Sequence, residues 1–297
     1  MINTEGTVTK DFDLMMLEHR LGELRGNPRR VLDASVVIPV NAQADLRTVL
    51  NVLEDISLYS GSNTLEIVLV INNYPESHPP EQIKDFRQLG VIVIAVPSAR
   101  RPGEVVIVSA RALGVQSANS NLTIHFDADC KIPDIDALID WYVEMSRSGV
   151  QLAYSHVGYY ELRKIPSVYV KVALHHILRG IKRILLGIPT TRGSNYGIER
   201  SLFLRLYKSG KLSVDLQLGP AAKLEGARIV YSGDPQLRVF TSGRRFQGGW
   251  LKMLRYFRYR LRYNFSVIPS RKQHGAESSW DGFDRENEHR SKFSLPE

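Results

Sequence analysis

Three apolar runs, each followed by a helix-length segment, constrain this chain most. SVVIPV (residues 35–40), LEIVLVI (65–71) and VIVIAV (91–96) are continuous rather than alternating in hydrophobicity. Strands buried on both faces read this way, and they belong to parallel sheets covered by helices. Between the runs, residues 44–60 place Leu46, Val49, Leu50, Leu53 and Ile56 on one helical side, and further helices are predicted near 81–89 and 103–118. A fourth strand follows, in which Leu122, Ile124 and Phe126 alternate with Thr123 and His125. This rhythm predicts an α/β fold, a mostly parallel central sheet with helices on both faces.

The fourth strand ends on Asp127 and Asp129, with Ala128 between them. In an open α/β sheet, ligands bind beyond the carboxyl ends of the strands. Two carboxylates there can hold a hard divalent cation that also takes phosphate oxygens. The same two residues can equally cap a solvated turn. Other phosphate devices are missing: there is no G-x-x-x-x-G-K-[ST] loop and no G-x-G-x-x-G fingerprint, and neither H-E-x-x-H nor G-x-S-x-G occurs. The single cysteine, Cys130, excludes an intrachain disulfide and a multi-cysteine zinc site. The start of the chain lacks the basic-then-apolar order of a secretory signal. No apolar run reaches the roughly 18 residues of a membrane span. A cytoplasmic protein is expected.

The second half is less regular. A helix is predicted over 133–148 with Pro133 in its first turn, then a strand over 150–157. Residues 170–188 predict a helix with Val170, Leu174, Ile177, Ile181, Leu185 and Ile188 on one face, flanked by a basic stripe of Lys171, His175, Arg179 and Lys182. The loop TTRGSNYG (190–197), a strand pair near 228–240 and an arginine loop follow. The expected organisation is a polar leader with a short helix (1–30, bearing Leu14, Leu17, Leu21 and Leu24), one domain over 31–250, a basic aromatic helix over 251–272 and a polar disordered tail over 273–297. The formal net charge of +8 is local, because residues 235–276 contain no acid. That block points to a phosphate-rich ligand, an anionic membrane or nucleic acid.

Seven segments, in order, resemble a family 2 glycosyltransferase with the GT-A fold. They are SVVIPVNAQADLRTVLNVL, EIVLVINNYPES, ARALG (110–114), HFDADC, RGSNYGIERSLF, SVDLQLGPAAKLEGARIVYSGDPQLRV and TSGRRFQGGW. The resemblance covers about residues 35–250 and implies a nucleotide-diphospho-sugar transferase-like sheet. It further implies a nucleotide-sugar donor, a hydroxyl acceptor and a Mn²⁺ or Mg²⁺ cofactor. By this resemblance Asp129 ligates the metal, and Asp127 faces the ribose or a metal-bound water. Asp215 is the catalytic base of an inverting hexosyl transfer. Pro39, Asn72, Arg111, Asn195, Arg244 and Arg245 contact the donor, the two arginines neutralising its diphosphate. The chain departs from the pattern at four places. Asn72 replaces an acid at the end of the second strand, Ala42 and Gln43 replace Asn-Glu, Ala112 replaces Asn, and Val214 replaces Glu before Asp215.

Two basic amphipathic segments, 170–188 and WLKMLRYFRYRLRYNF (250–265), have the composition of interfacial helices. They make an anionic membrane surface a candidate partner, on the inner membrane face. Interleaved arginines and aromatics also suit single-stranded nucleic acid, which the resemblance disfavours. Two rival readings remain at this level. One is a nucleotidyltransferase of similar sheet topology. The other is a non-catalytic GT-A-like partner protein that binds nucleotide sugar or membrane, motivated by Asn72 and Val214.

Overall fold

The computed structural model describes residues 14–26, 31–97, 106–251, 253–255 and 257–258, and does not cover the side chain of Arg245. The expected tail over 273–297 and most of the expected helix over 251–272 lie outside the described residues.

The apolar runs become strands β1 (Ala34–Asn41), β2 (Leu65–Asn72) and β3 (Ile92–Ala95), and the run before the two aspartates becomes β4 (Leu122–His125). β2 is buried throughout and β1 is buried up to Asn41. Successive side chains leave the sheet on opposite faces. Val36, Ile38 and Val40 therefore join one core with α1 (Leu14–Leu24), α2 (Thr48–Ser57), α3 (Gln82–Gln88) and α5 (Ile135–Arg147). Val37, Val68 and Val70 join another with α4 (Val106–Ser117), α7 (Arg200–Lys208) and α8 (Leu218–Leu224). Continuous hydrophobicity was needed because both faces are covered.

Five further strands complete the main sheet and its neighbour: β5 (Leu152–Ser155), β6 (Val157–Tyr160), β7 (Tyr196–Glu199), β8 (Ile229–Ser232) and β9 (Val239–Ser242). The main sheet runs β3-β2-β1-β4-β7-β5-β8, and β6 pairs with β9 in a small second sheet. β1 to β4 are parallel, whereas β7 runs antiparallel to both its neighbours. The order reverses between β1 and β4, which makes that junction the topological switch point. β4 leaves β1 there: their register ends at Val37↔His125, with Phe126 N–H donating to Val37 O at 3.4 Å. Pro39 lies two residues beyond Val37, past the end of this ladder, so its missing N–H breaks no pairing. The carboxyl ends of β1 and β4 are therefore where an open α/β sheet of this order places its ligand crevice.

The structure changes several expectations. The strand expected over 150–157 is two strands, because β5 ends at Ser155 and β6 leaves for the second sheet. β8 and β9 do not pair with each other. Asp134, not Pro133, opens α5, its carboxylate accepting from Ala137 N–H at 3.0 Å. In α6 (Pro166–Ile184), whose apolar face fits either a core or a membrane interface by sequence, three residues of the basic stripe face inward. Lys171, His175 and Arg179 are buried, while Ile177 is 58% and Leu185 74% exposed. No helix among the described residues is long and apolar enough to cross a membrane.

Gly114 brings α4 onto β1 and β2. A Cβ there would lie 2.5 Å from Val37 Cγ1 and 3.1 Å from Val70 Cγ2, both stiff buried side chains. Gly114→Ala gains about 1 kcal/mol of helix propensity but overpacks the core by about 1–3 kcal/mol. Denaturant unfolding should show net destabilisation. A variant as stable as the wild type would contradict this account of the α4–sheet contact.

Candidate active site

Four acids gather here from three places in the sequence. β4 ends at His125 and delivers Asp127 and Asp129. The segment after β1 delivers Asp45, whose carboxylate accepts from Asn41 N–H at 3.3 Å. A single 3-10 turn, Asp215–Gln217, delivers Asp215. That turn is fixed by Gln217 Oε1, which accepts from Ser213 N–H (2.8 Å) and Val214 N–H (3.1 Å).

Arg111, on α4, binds two of these acids, Asp127 and Asp215, together. Its guanidinium is completely buried, its Nη2 donates to Asp127 Oδ1, and its Nε lies 3.5 Å from Asp215 Oδ1. Burial opposes the charge on Arg111, but Asp215 and Asp127 more than offset it and hold its pKa above the ordinary value. Gly193 completes the arrangement, since a Cβ there would collide with Arg111 Nη2 and Asp215 Oδ2. Glycine is required here for close approach of the loop rather than for backbone freedom.

Asp129 is held from another direction. Its Oδ1 accepts from Thr241 Oγ1 at 3.0 Å, and its carbonyl accepts from Tyr160 O–H at 2.7 Å. The neighbouring Lys131 bridges to Phe240 of β9 through N–H···O bonds of 2.8 and 2.9 Å. The second sheet thus fixes the acidic loop. Arg244 is 67% exposed at its side chain and reaches over the site, 3.9 Å from Asp129 Oδ2 and 3.7 Å from Glu161 Oε2. Glu161 holds a left-handed backbone (φ 56) and accepts from Ser242 O–H at 2.9 Å.

The electrostatics are strongly anionic. Burial, then Asp129, raises the Asp45 carboxyl to about 6, and Asp127 adds to the effect. Burial also raises Asp215, with Arg111 acting against it and Asp127 reinforcing it. Among the described residues no three His, Cys, Asp or Glu side chains converge as a metal cage. A cation here would take one or two carboxylates and complete its shell with water and ligand oxygens, the manner in which Mg²⁺ binds phosphate ligands. Asp129, with Asp127 two residues before it and Asp45 close enough to feel both charges, offers the one or two carboxylates that such a cation needs, so the residues present fit one.

The predicted residues divide into two groups. Asp127, Asp129, Asp215 and Arg244 converge around the crevice, with Arg111 beneath them rather than open to it. Asn72 and Asn195 are turned into the protein. Asn72 is 3% exposed and its amide donates to Val40 O (3.2 Å) and Val70 O (3.4 Å). Asn195 is 1% exposed; its Oδ1 accepts from Tyr142 O–H at 2.6 Å and its Nδ2 donates to Ser155 Oγ at 2.5 Å. Pro39 is buried inside β1, and the Arg245 side chain lies outside the described residues. His125 stacks on Tyr196 at 4.4 Å, and burial holds its pKa well below the ordinary value. Asp45, Thr241 and Gly193 were not singled out from sequence. Gly193 sits inside the quoted RGSNYG motif, whereas Asp45 gains meaning only once β4 is known to lie beside β1.

No protein-family model matches the chain, and no curated protein sequence matches it. Solved structures do. One is TarS (residues 1–349) of S. aureus in complex with UDP, with a TM-score of 0.50 and 14% identity, covering 88% of this chain and 72% of that one. Another is glucosyl-3-phosphoglycerate synthase from Mycobacterium tuberculosis in complex with Mn²⁺, UDP-glucose and phosphoglyceric acid, with a TM-score of 0.49, 15% identity and coverage of 89% and 86%. A third is the mannosyltransferase PcManGT from Pyrobaculum calidifontis in complex with GDP-Man and Mn²⁺, with a TM-score of 0.48, 14% identity and coverage of 94% and 89%. The fold is of the GT-A, nucleotide-diphospho-sugar transferase type.

The raised Asp45 gives a stability prediction. The folded protein binds this proton more tightly than the unfolded chain, whose carboxyl titrates near 3.8. The contribution of Asp45 is fully present below that pH and is lost as pH rises through about 6. Asp45→Asn should therefore raise stability at pH 7.5 by about 1–3 kcal/mol and leave it nearly unchanged at pH 4. Parallel melting curves for wild type and variant at both pH values would contradict the acidic crowding.

Proposed function

We propose that this chain is an inverting glycosyltransferase, moving a hexosyl group from a nucleotide-diphosphate donor to an acceptor hydroxyl. The observation that carries this reading is the buried Arg111 that joins Asp127 to Asp215 at the carboxyl ends of β1 and β4, with Asp129 two residues from Asp127 and beside Arg244. The segments that resemble family 2 glycosyltransferases supply these same residues. Asp129 would hold Mn²⁺ or Mg²⁺, with Asp127 toward the ribose or a metal-bound water. When bound, that ion supplies a Lewis acid for the developing charge on the diphosphate. Arg244 reaches the same oxygens without rearranging the core, and Arg245 follows it in sequence.

Asp215 accepts the proton of the acceptor hydroxyl. As the new bond from that oxygen to the anomeric carbon forms, the bond to the diphosphate breaks and the nucleoside diphosphate leaves. Inversion follows from attack opposite the leaving group. Burial raises the affinity of Asp215 for this proton, and Arg111 keeps the carboxylate available. Asn72 would act behind the donor pocket, fixing the ends of β1 and β2, and Asn195 would fix the 190–195 loop.

Asp215→Asn keeps the shape and removes the basicity. Turnover should fall by about 10²–10⁴-fold, with donor affinity nearly unchanged, as for an interaction made in the transition state. The acid limb of the wild-type rate profile should lie above the ordinary aspartate range. NMR of the product should show an inverted anomeric centre; retention would rule out single displacement.

The acceptor side would lie against an anionic membrane surface. α6 presents Ile165, Tyr169, Ile177, Ile181 and Leu185 to solvent at four-residue spacing, and Trp250, Leu251 and Leu254 are exposed beside it. Lys171 joins the two groups, its Nζ donating to Phe246 O (3.2 Å) and lying 5.5 Å from the Trp250 ring centroid. Exposed Arg163 and Lys164 stand at one end of the stripe and Lys182 and Arg183 near the other. This combination of charge and apolar surface matches an anionic leaflet. Burying Ile177 in lipid contributes about 1.5–3 kcal/mol, so Ile177→Glu should weaken binding to phosphatidylserine vesicles by tenfold or more. Unchanged binding would remove the membrane from this proposal.

A further inference from the structure

A second charged cluster lies beneath α6, separate from the acids. Four arginines meet there. Arg179 and Arg183 stand one turn apart on α6, Arg192 comes from the loop before β7, and Arg238 immediately precedes β9. They surround His156 and His176, whose rings stack with centroids 4.8 Å apart. Burial, then Arg238, Arg179, Arg183 and Arg192, lowers the pKa of His156 to about 4. Burial, then His156, and then three of the same arginines lower His176 to about 4 as well. Arg192 Nη2 lies 2.6 Å from His175 Nε2. Arginine can only donate, so this imidazole nitrogen accepts and His175 is neutral.

The positive charge is therefore carried by guanidinium groups, which do not lose it at any ordinary pH. Three polar atoms around them, Tyr159 Oη, Thr190 Oγ1 and Arg238 Nε, are buried and make no hydrogen bond among the described residues. Arg192 lies 5.0 Å over the Tyr159 ring, and Arg179 Nη2 donates to Thr190 O at 2.7 Å. The orphaned atoms thus belong to the cluster itself. His156, His176, Arg183 and Arg238 are half-buried and form its open edge. Concentrated forked donors with unused hydrogen-bonding capacity match a tetrahedral oxyanion.

Its position gives the cluster a role. Arg192 is followed directly by Gly193, which packs on Arg111 and Asp215. The same short loop therefore has arginine charge on one side and the candidate base on the other. The glycosyltransferase reading places the acceptor hydroxyl at Asp215. On that reading, we infer that the cluster formed by Arg179, Arg183, Arg192 and Arg238 binds a phosphoryl group carried by the acceptor.

The test uses the full chain without divalent cation, so that the donor site is not loaded. Inorganic phosphate and glycerol 3-phosphate are titrated calorimetrically. Phosphatidylcholine vesicles with and without phosphatidic acid are tested by flotation. The variants are Arg183→Gln and Arg238→Gln, both at the open edge. Saturable phosphate-ester binding that weakens about tenfold or more in the variants supports a site for soluble phosphate esters. Binding confined to phosphatidic acid vesicles, and lost in the variants, supports a lipid headgroup. No saturable binding of any probe, or equal binding by wild type and both variants, overturns the inference. Affinity for UDP and GDP with Mn²⁺ is measured alongside. If phosphate binds through these arginines while neither nucleotide binds, the anion site stands and the glycosyltransferase reading falls.

Discussion

The buried guanidinium of Arg111 is the interaction on which the rest of the site depends. It lies in α4, beneath the sheet ends, and holds Asp127 from β4 and Asp215 from the turn before α8. A buried charge of this kind is retained only when paired. Removing it would leave two carboxylates facing each other across a space that Gly193 keeps narrow, at about 3–5 kcal/mol. The position proposed for the donor and the position proposed for the base are thereby fixed relative to one another. Their distance is set by packing of α4 on β1 and β2, which Gly114 permits.

Charge is segregated around this centre. Asp45, Asp127 and Asp129 crowd the carboxyl ends of β1 and β4, with Arg244 above them and largely exposed. Arginines and neutral histidines gather beneath α6 on the other side of the 190–195 loop. Among the described residues each region gathers charge mainly of one sign. A cation with a diphosphate would balance the first, and an oxyanion would balance the second. Such crowding of like charge lowers stability, and proteins commonly retain it where ligands bind.

The sheet was legible in the sequence because β1 and β2 are apolar from Val36 to Val40 and from Ile67 to Ile71, and the acid pair was legible because it follows a strand. Fold class followed from elements that each obey one local rule. The orientation of α6 was not legible, for an identifiable reason. Its apolar residues recur every four positions, a pattern that usually marks the core. Here Lys171 reaches Phe246 O and Gly248 O, Arg179 reaches Thr190 O, and His175 meets Arg192. Those partners come from loops far along the chain, and no local pattern signals them. The burial of Asn72 and Asn195 was not legible for a related reason. A polar residue at a strand end can point either to solvent or to backbone carbonyls, and only the packed structure decides which. Thr241 and Asp45 acquire roles through strand order alone.

Turnover is the most direct test of the proposed activity. UDP- and GDP-linked hexoses, each with Mn²⁺, are incubated with the protein and with phosphate-bearing and neutral hydroxyl acceptors, and release of free nucleoside diphosphate is followed. The account predicts metal-dependent release from at least one donor, abolished by EDTA and by Asp129→Ala. Release that persists undiminished with EDTA, or no release from any donor, would contradict it.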